Sequence, residues 1–303
     1  EAPVYNIMSS CSKHTFLVTK PEELEATVRM AFKIALSGRP GPVVIDVPKD
    51  VQNWVGTFRG EGDLPWARAY MARMEALVGN RVDADKAARF FEMLEQSERP
   101  LIYVGGGAAN TAGHEALARF VERFGIPVTT TLMGIGSFDT RHPLSLHMLG
   151  MHGTACANYA VEDCDFLIAL GARFDDRVAG KVAAFAPNVR AIAHIDIDAA
   201  EIGKVKAAQW FHVSDIQTAL NDLIEYGKDF KKTFGEWHEH IAALKREHCL
   251  NYDRNHAMIQ PYEVVELVSE IAGQDAVITT GVGQHQMWAA QYGTFVKPRK
   301  FLT

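Results

Sequence analysis

Residues 166–178 read Phe-Leu-Ile-Ala-Leu-Gly-Ala-Arg-Phe-Asp-Asp-Arg-Val, and this stretch decides the fold class. Its first five residues form an apolar run that is typical of a strand buried on both faces of a parallel sheet. Gly171 ends the run, and Arg173 and Arg177 follow at the carboxyl end of the strand. Ligands bind at that edge of an open α/β sheet, and the arginine fork matches the geometry of phosphate. The alternative interpretation is a solvated charged turn.

The flanking segments repeat this alternation of strand and helix. Short apolar strands are predicted at 101–104, 128–131 and 191–197, and amphipathic helices separate them. Strands and helices that alternate in this way indicate a doubly wound parallel sheet with buried faces. The predicted fold class is therefore α/β, with a central sheet and partial α/β domains on either side.

The same pattern divides the chain into five segments. Glycines and the lack of a clear period mark one segment as a linker, and a polar helix marks another as a connection. The expected segments are the end of one α/β domain at 1–52, a linker at 53–82, the central domain at 83–228, a connecting helix at 229–258 and the start of another α/β domain at 259–303. Both chain ends read as cuts through folded structure, so we expect a piece of a longer polypeptide.

Composition restricts the function classes. The chain has 303 residues, which is about two domains, and its net charge of −6 without a Lys/Arg stripe argues against a nucleic-acid surface. No apolar run reaches the roughly 18 residues that span a bilayer. Cys11, Cys156, Cys164 and Cys249 lack the spacing of a zinc site, which favours free thiols and a cytoplasmic location.

Other strand ends carry residues suited to a nucleotide. Gly105–Gly107 would let the backbone approach a diphosphate, although a plain tight turn is the alternative. The segments 131–134 and 149–153 offer thioethers and backbone to a flat ring, with core packing as the alternative. Asp196 and Asp198 suit ribose or adenine donors, with a helix N-cap before Ala199 as the alternative.

One extended ligand with phosphates would explain all of these strand ends together. A flavin or nicotinamide dinucleotide fits this length better than a mononucleotide. His238 and His240 flank Glu239, but alternate residues of a helix point apart, so a solvated helix face is predicted there rather than a metal site. The sequence contains no serine-triad elbow, Walker loop or zinc motif.

Longer runs carry a resemblance to a known family. Residues 144–154, 157–161, 171–181 and 194–204 resemble the catalytic subunit of the acetohydroxyacid synthase family, also called acetolactate synthases. These enzymes belong to the thiamine-diphosphate family, whose central domain is Rossmann-like. Residues 38–51 resemble the end of the pyrimidine-binding domain of these enzymes. Residues 281–292 resemble the start of their diphosphate-binding domain.

The resemblance implies cofactor contacts at matching positions. It implies that the central domain binds FAD, in a mainly structural role, through Gly105, Gly106, Gly107, Thr131, Leu132, Met133, Leu149, Gly150, Met151, His152, Gly171, Ala172, Arg173, Asp175, Arg177, Val178, Asp196, Ile197 and Asp215. It implies thiamine diphosphate contacts at Val282, Gly283, Gln284 and His285. Arg59 of the linker is a further expected FAD contact, and magnesium is implied as the third cofactor.

The resemblance also implies a transferase activity. The thiazolium ylide attacks pyruvate, carbon dioxide leaves, and the enamine adds to pyruvate or 2-ketobutyrate in branched-chain amino-acid biosynthesis. It places the activating glutamate before Glu1 and the magnesium motif after Thr303, so the chain by itself is expected to lack this activity.

The implied partners are 2-ketoacids, a second or further copies in a homodimer or tetramer, and a small regulatory subunit, without nucleic acid or membrane. A glyoxylate carboligase-like enzyme and a non-catalytic nucleotide-binding module are the alternatives.

Overall fold

A computed structural model describes residues 2–58, 64–248, 250–255 and 257–303. The chain divides into two compact units, Glu1–Gly79 and Asn80–Thr303. In the first unit, strand β1 (His14–Leu17) pairs in parallel with β2 (Val43–Asp46). Its helices are α1 (Val4–Ser9), α2 (Leu24–Leu36), α3 (Lys49–Gln52) and α4 (Pro65–Val78).

The first unit includes most of the predicted linker. The segment 53–82 contains the 14-residue helix α4. This helix lacks a clear apolar period but consists mostly of residues with high helix propensity, such as Ala, Arg, Met, Glu and Leu. The strand β2 is only half-buried.

The second unit is built on a six-stranded parallel sheet. Its strands are β3 (Pro100–Val104), β4 (Val128–Thr130), β5 (Ser145–Met148), β6 (Phe166–Leu170), β7 (Ala191–Asp196) and β8 (Trp210–Val213). The strand order is β5-β4-β3-β6-β7-β8. Counted from β3, this is the 3-2-1-4-5-6 order of dinucleotide-binding folds. The predicted α/β class with a doubly wound parallel sheet is confirmed.

Helices cover both faces of this sheet. They are α5 (Ala84–Gln96), α6 (Thr111–Phe124), α7 (Ala155–Asp163), α8 (Asp176–Ala179), α9 (Ile216–Tyr226) and α10 (Gly235–His248). Every residue of β3 and β6 is buried, which explains their unbroken apolar sequence. The inner face of α10 consists of the buried residues Trp237, Ile241 and Leu244, and Phe234, just before the helix, is also buried.

The last segment of this unit contains a second, two-stranded sheet. Helix α11 (Pro261–Ala272) precedes strand β9 (Ile278–Thr279), helix α12 (Gln284–Tyr292) and strand β10 (Phe301–Leu302). Strands β9 and β10 pair in parallel. Within the described ranges, no helix combines the length and apolar character needed to cross a membrane.

Candidate nucleotide-binding groove

The residues predicted to bind FAD follow strands of one parallel sheet, so they lie along one edge of it. The loops after β3, β4 and β5 lie on one side of the chain reversal, and those after β6, β7 and β8 lie on the other. The strand order reverses between β3 and β6. In open α/β sheets, ligands bind in the crevice beyond the strand ends at such a reversal. We call this edge the groove.

Glycines let two loops meet at the centre of the groove. The Gly105 N–H donates to the Leu170 carbonyl at 2.9 Å, and the Gly107 N–H donates to the Gly171 carbonyl at 3.1 Å. A Cβ at Gly107 would lie 2.7 Å from the Gly171 Cα, a distance that side chains do not tolerate. Glycine is therefore required there by close backbone approach. This packing supports the interpretation of the glycines as a tight turn. Gly106 and Gly107 are nevertheless exposed.

The loops after β4 and β5 present methionines to solvent. Met133 and Met151 are each 64% exposed, so core packing does not explain them, whereas Leu149 is buried and does belong to the core. Thr131 shapes the first loop, because its Oγ1 accepts a hydrogen bond from the Gly134 N–H at 3.1 Å. Exposed thioethers beside turn backbone form an apolar surface suited to a flat ring.

Asn158, which the sequence analysis did not single out, fixes the loop after β5. Its Nδ2 donates to the Gly150 carbonyl at 3.0 Å and its Oδ1 accepts from the Gly150 N–H at 2.8 Å. The next N–H, of Met151, donates to the Arg177 carbonyl at 3.1 Å. The loops after β5 and β6 therefore meet beyond the ends of β4 and β3, which lie between those strands in the sheet.

The arginine loop is held by a residue that points inward. Phe174 has a φ of +55°, is buried, and packs against Tyr103 and His194 with ring centroids 5.2 and 5.5 Å away. Burial raises the pKa of Tyr103 and lowers the pKa of His194, so both groups stay neutral at pH 7. The Phe174 side chain points into this buried, uncharged cluster. The side chains of its neighbours Arg173 and Asp175 therefore point towards solvent.

Among the residues that the structure describes, the two arginines have only weak acidic partners. Arg173 Nη2 lies 3.8 Å from Asp175 Oδ2, and Arg177 Nε lies 3.9 Å from Asp176 Oδ2. Both distances exceed a hydrogen bond, and exposed pairs of this kind contribute little stability. The Arg173 side chain is 55% exposed. Both guanidinium groups therefore keep hydrogen-bonding capacity for an anion.

Two aspartates, Asp196 and Asp198, lie at the carboxyl end of β7, on the other side of the reversal. Asp196 is buried, and its Oδ1 accepts from the Asp198 N–H at 2.8 Å. Asp198 in turn accepts from the Ala200 N–H at 3.0 Å. Residues 199–203 form turns and not a helix, so the predicted alternative of a helix N-cap before Ala199 is wrong: Asp198 caps a turn.

Asp215, after β8, is an N-cap with a spare acceptor. Its Oδ1 accepts from the Thr218 N–H at 2.9 Å at the start of α9. Its Oδ2 is buried and has no hydrogen-bond partner within the described part of the chain. Buried carboxylate oxygens are nearly always paired. A ribose or adenine donor would satisfy this atom, so the residue fits the nucleotide that the sequence predicts.

The turn before α12 is exposed and rich in glycine. Gly283 has a φ of +154° and is the N-cap residue. Val282 is 93% exposed, and Gln284 and His285 are also exposed. The first N–H groups of a helix have no partner within the helix and attract anions. These four predicted thiamine diphosphate contacts thus surround one helix start that suits a diphosphate.

Some sequence predictions lie outside this groove. Arg59 and Cys249 are outside the described residues. Cys11 and Cys164 are free thiols, and burial raises the pKa of Cys164 to about 12. The predicted divergence of the two histidines of α10 is confirmed, because His238 contacts the Gly125 carbonyl whereas His240 lies 2.8 Å from Asp163.

Comparisons with known proteins identify the relatives of this chain. Residues 87–223 match the family described as thiamine pyrophosphate enzyme, central domain. The whole chain is 46% identical to acetolactate synthase 2, chloroplastic, of Zea mays, and covers 47% of that protein. It is 44% identical to acetolactate synthase 1, chloroplastic, of Nicotiana tabacum and 42% identical to acetolactate synthase, chloroplastic, of Arabidopsis thaliana, again over the whole chain and 45% of each relative. The chain thus spans about half the length of the curated relatives it matches.

These relatives correct the expected location. All of them are chloroplastic proteins, which contradicts the cytoplasmic expectation. The expectation came from cysteine usage, which distinguishes reducing from oxidising compartments. Free thiols do not tell one reducing compartment from another.

Proposed function

We propose, from the premise that this chain belongs to the thiamine pyrophosphate enzyme family and is homologous to acetolactate synthases, that it forms the flavin-binding centre of such a synthase. Bound thiamine diphosphate supplies the nucleophilic carbon for decarboxylating pyruvate and joining its two-carbon unit to a second 2-ketoacid. The homology at 42–46% identity over the whole chain supports this transferase reaction rather than a glyoxylate carboligase reaction.

FAD would lie across the reversal of strand order, with its adenosine towards β7 and β8. The guanidinium groups of Arg173 and Arg177 lie too far from the neighbouring aspartates to hydrogen-bond with them. They would therefore be available to bind the pyrophosphate. Asp196 and the spare Oδ2 of Asp215 would accept from the ribose and adenine. The exposed Met133 and Met151 would face the flavin ring. The observation that carries this placement is the meeting of all these residues at one sheet edge.

Thiamine diphosphate would bind at the start of α12. The N–H groups after Gly283 would donate to the diphosphate, and magnesium would neutralise the remaining charge. Val282, Gln284 and His285 are exposed there and would contact the cofactor.

The same homology supports a proposed arrangement of the whole protein. We assign 1–52 to the pyrimidine-binding domain, 53–82 to a linker, 83–228 to the FAD domain, 229–258 to a connection and 259–303 to the diphosphate-binding domain. The protein acts as a homodimer or tetramer with a small regulatory subunit.

Flavin titration of the purified chain tests this proposal. Bound FAD should lose fluorescence, and Arg173→Ala should weaken binding by about tenfold to 100-fold because it removes a charge-assisted hydrogen bond. Arg141→Ala is the matched control, because Arg141 pairs with Asp139 at 2.8 Å in an exposed turn outside the predicted contacts. A chain that folds but binds no FAD would contradict the proposal.

The carboligase reaction needs a separate assay. A full-length protein that carries this segment should convert pyruvate to 2-acetolactate when FAD, thiamine diphosphate and magnesium are present. Turnover of glyoxylate without turnover of pyruvate would contradict the assignment to the synthases.

A further inference from the structure

The segment 284–301, which we call the brace, contacts each of the three loops on one side of the groove. These loops follow β3, β4 and β5. The loops after β4 and β5 hold the predicted contacts for the flavin ring, and the loop after β3 is predicted to approach the diphosphate. The brace begins with α12, whose first turn is the predicted thiamine diphosphate site. The contacts join residues that are more than 130 positions apart in sequence, so local sequence does not dictate them.

Gln291, in the last turn of α12, holds the loop after β5. Its Nε2 donates to the His152 carbonyl at 2.8 Å. Other hydrogen bonds also anchor the loop at 149–153: the Leu149 N–H donates to the Thr130 carbonyl, Asn158 bonds to Gly150, and the Met151 N–H donates to the Arg177 carbonyl. The amide of Gln291 therefore fixes the end of the loop that is farthest from Asn158's contact.

Arg299 holds the loop after β3. Its Nε donates to the Ala109 carbonyl at 3.0 Å, two residues beyond the glycine turn at 105–107. Its backbone has a φ of +59°, an uncommon conformation for a residue other than glycine. Such a conformation is energetically unfavourable and persists where surrounding contacts enforce it.

The loop after β4 packs directly on the brace. A Cβ at Gly136 would lie 3.0 Å from the carbonyl carbon of Lys297, so the two backbones touch. The Thr140 N–H donates to the Phe295 carbonyl at 3.1 Å, and the Phe295 N–H donates to Thr140 Oγ1 at 3.0 Å.

A small apolar core joins the brace to the strand ends. It consists of Ala289, Ala290, Phe295 and Phe301 from the brace, and of Ile135 and Met148 from the sheet side. Leu132, a predicted flavin contact, packs against this core. The position of α12 is therefore transmitted to the flavin loops by packing as well as by hydrogen bonds.

We propose that the brace sets the shape of the flavin-ring half of the groove, with Gln291 and Arg299 as its positioning residues. This inference rests on the proposed FAD site. Neither residue is a predicted flavin contact. Gln291 acts on a carbonyl of the loop after β5, which the ring would meet, and Arg299 acts on a carbonyl of the loop after β3, which the diphosphate would meet. The shape of the adenosine half of the groove depends on the residues of the loops after β7 and β8 and not on the brace.

The test compares FAD with ADP, which lacks the flavin ring. The variant Gln291→Met keeps the side-chain length and removes the donor. We expect its FAD affinity to fall about threefold to tenfold, the effect of one neutral hydrogen bond, while its ADP affinity stays unchanged. Lys300→Met is the matched control, because Lys300 Nζ also donates to a backbone carbonyl, that of Asp275, but outside the groove loops.

The outcomes separate this inference from the proposed function. If the unchanged chain binds no FAD, the proposed site itself fails. If it binds FAD and Gln291→Met binds FAD and ADP as tightly as before, the brace has no positioning role. An equal loss for both ligands would also overturn the inference, because a general loss of folded protein would then explain it.

Discussion

Phe174 lies between two exposed charged residues and is itself buried. The sequence pattern identified Gly171 and the arginines that follow it, because glycine after an apolar run and paired cations are direct signals. It did not identify Phe174 as the anchor, since phenylalanine does not signal a positive φ. That conformation depends on the cluster of Tyr103, Phe185 and His194, which comes together only in the folded chain.

Removing the Phe174 ring should make the folded chain less stable and weaken flavin binding. Phe174→Ala is expected to lower the free energy of unfolding by about 3 kcal/mol, because a buried ring is lost and the loop loses its anchor. Urea denaturation measures this change. Phe211→Ala on β8, where the ring is half exposed, should cost under about 1 kcal/mol. Equal costs would show that Phe174 is not an anchor.

His147 should make the stability of the chain depend on pH. Burial, and to a smaller extent the nearby Lys245 cation, lowers its pKa to about 4, against about 6.5 when unfolded. Between these values the unfolded chain binds the proton and the folded chain does not, so stability is present above pH 6.5 and is lost as pH falls towards 4.

The matching experiment uses unfolding at pH 7 and pH 5. His147→Gln should reduce the loss of stability between these pH values by about 2 kcal/mol. The exposed His152 provides the control, and His152→Gln should leave the loss unchanged. If both variants lose as much stability as the unchanged chain, His147 is not the group that titrates.

Among the elements, long periodic segments could be predicted from the sequence and short edge strands could not. Helices α6, α9 and α10 carry complete apolar stripes, and β3 and β6 are continuous apolar runs. The strands β5 and β8 escaped prediction because each has four residues, lies at an edge of the sheet, and mixes polar with apolar side chains. Their pairing partners, far away in sequence, decide their conformation.

Helix α10 should owe much of its position to one tryptophan. Trp237 is buried, and its Nε1 donates to the Pro100 carbonyl at 2.9 Å at the start of β3. Trp237→Phe is expected to cost about 2 kcal/mol, because the carbonyl would remain buried without its donor. Thermal or urea unfolding measures the cost. Glu239→Gln on the exposed face of the same helix should change stability by under about 0.5 kcal/mol, and a similar loss in both variants would contradict this account.

At the scale of the whole molecule, the order of the strands determines which loops lie next to one another in the groove. Sequence alone predicted which residues follow the strands, and parallel strands guarantee that these residues share an edge. It did not predict that β3 and β6 are neighbours, nor that the brace supports the loops after β3, β4 and β5. Those relations depend on packing between distant segments, which no local pattern records.

Hydrogen–deuterium exchange with and without FAD tests the central claim most directly, because it reports where the ligand binds. FAD should slow exchange in the strand-end loops at 105–107, 131–133, 171–173 and 196–197, and leave α10 on the remote side of the unit unchanged. No slowing in these loops, or slowing confined to other parts of the chain, would contradict a flavin groove at this edge of the sheet.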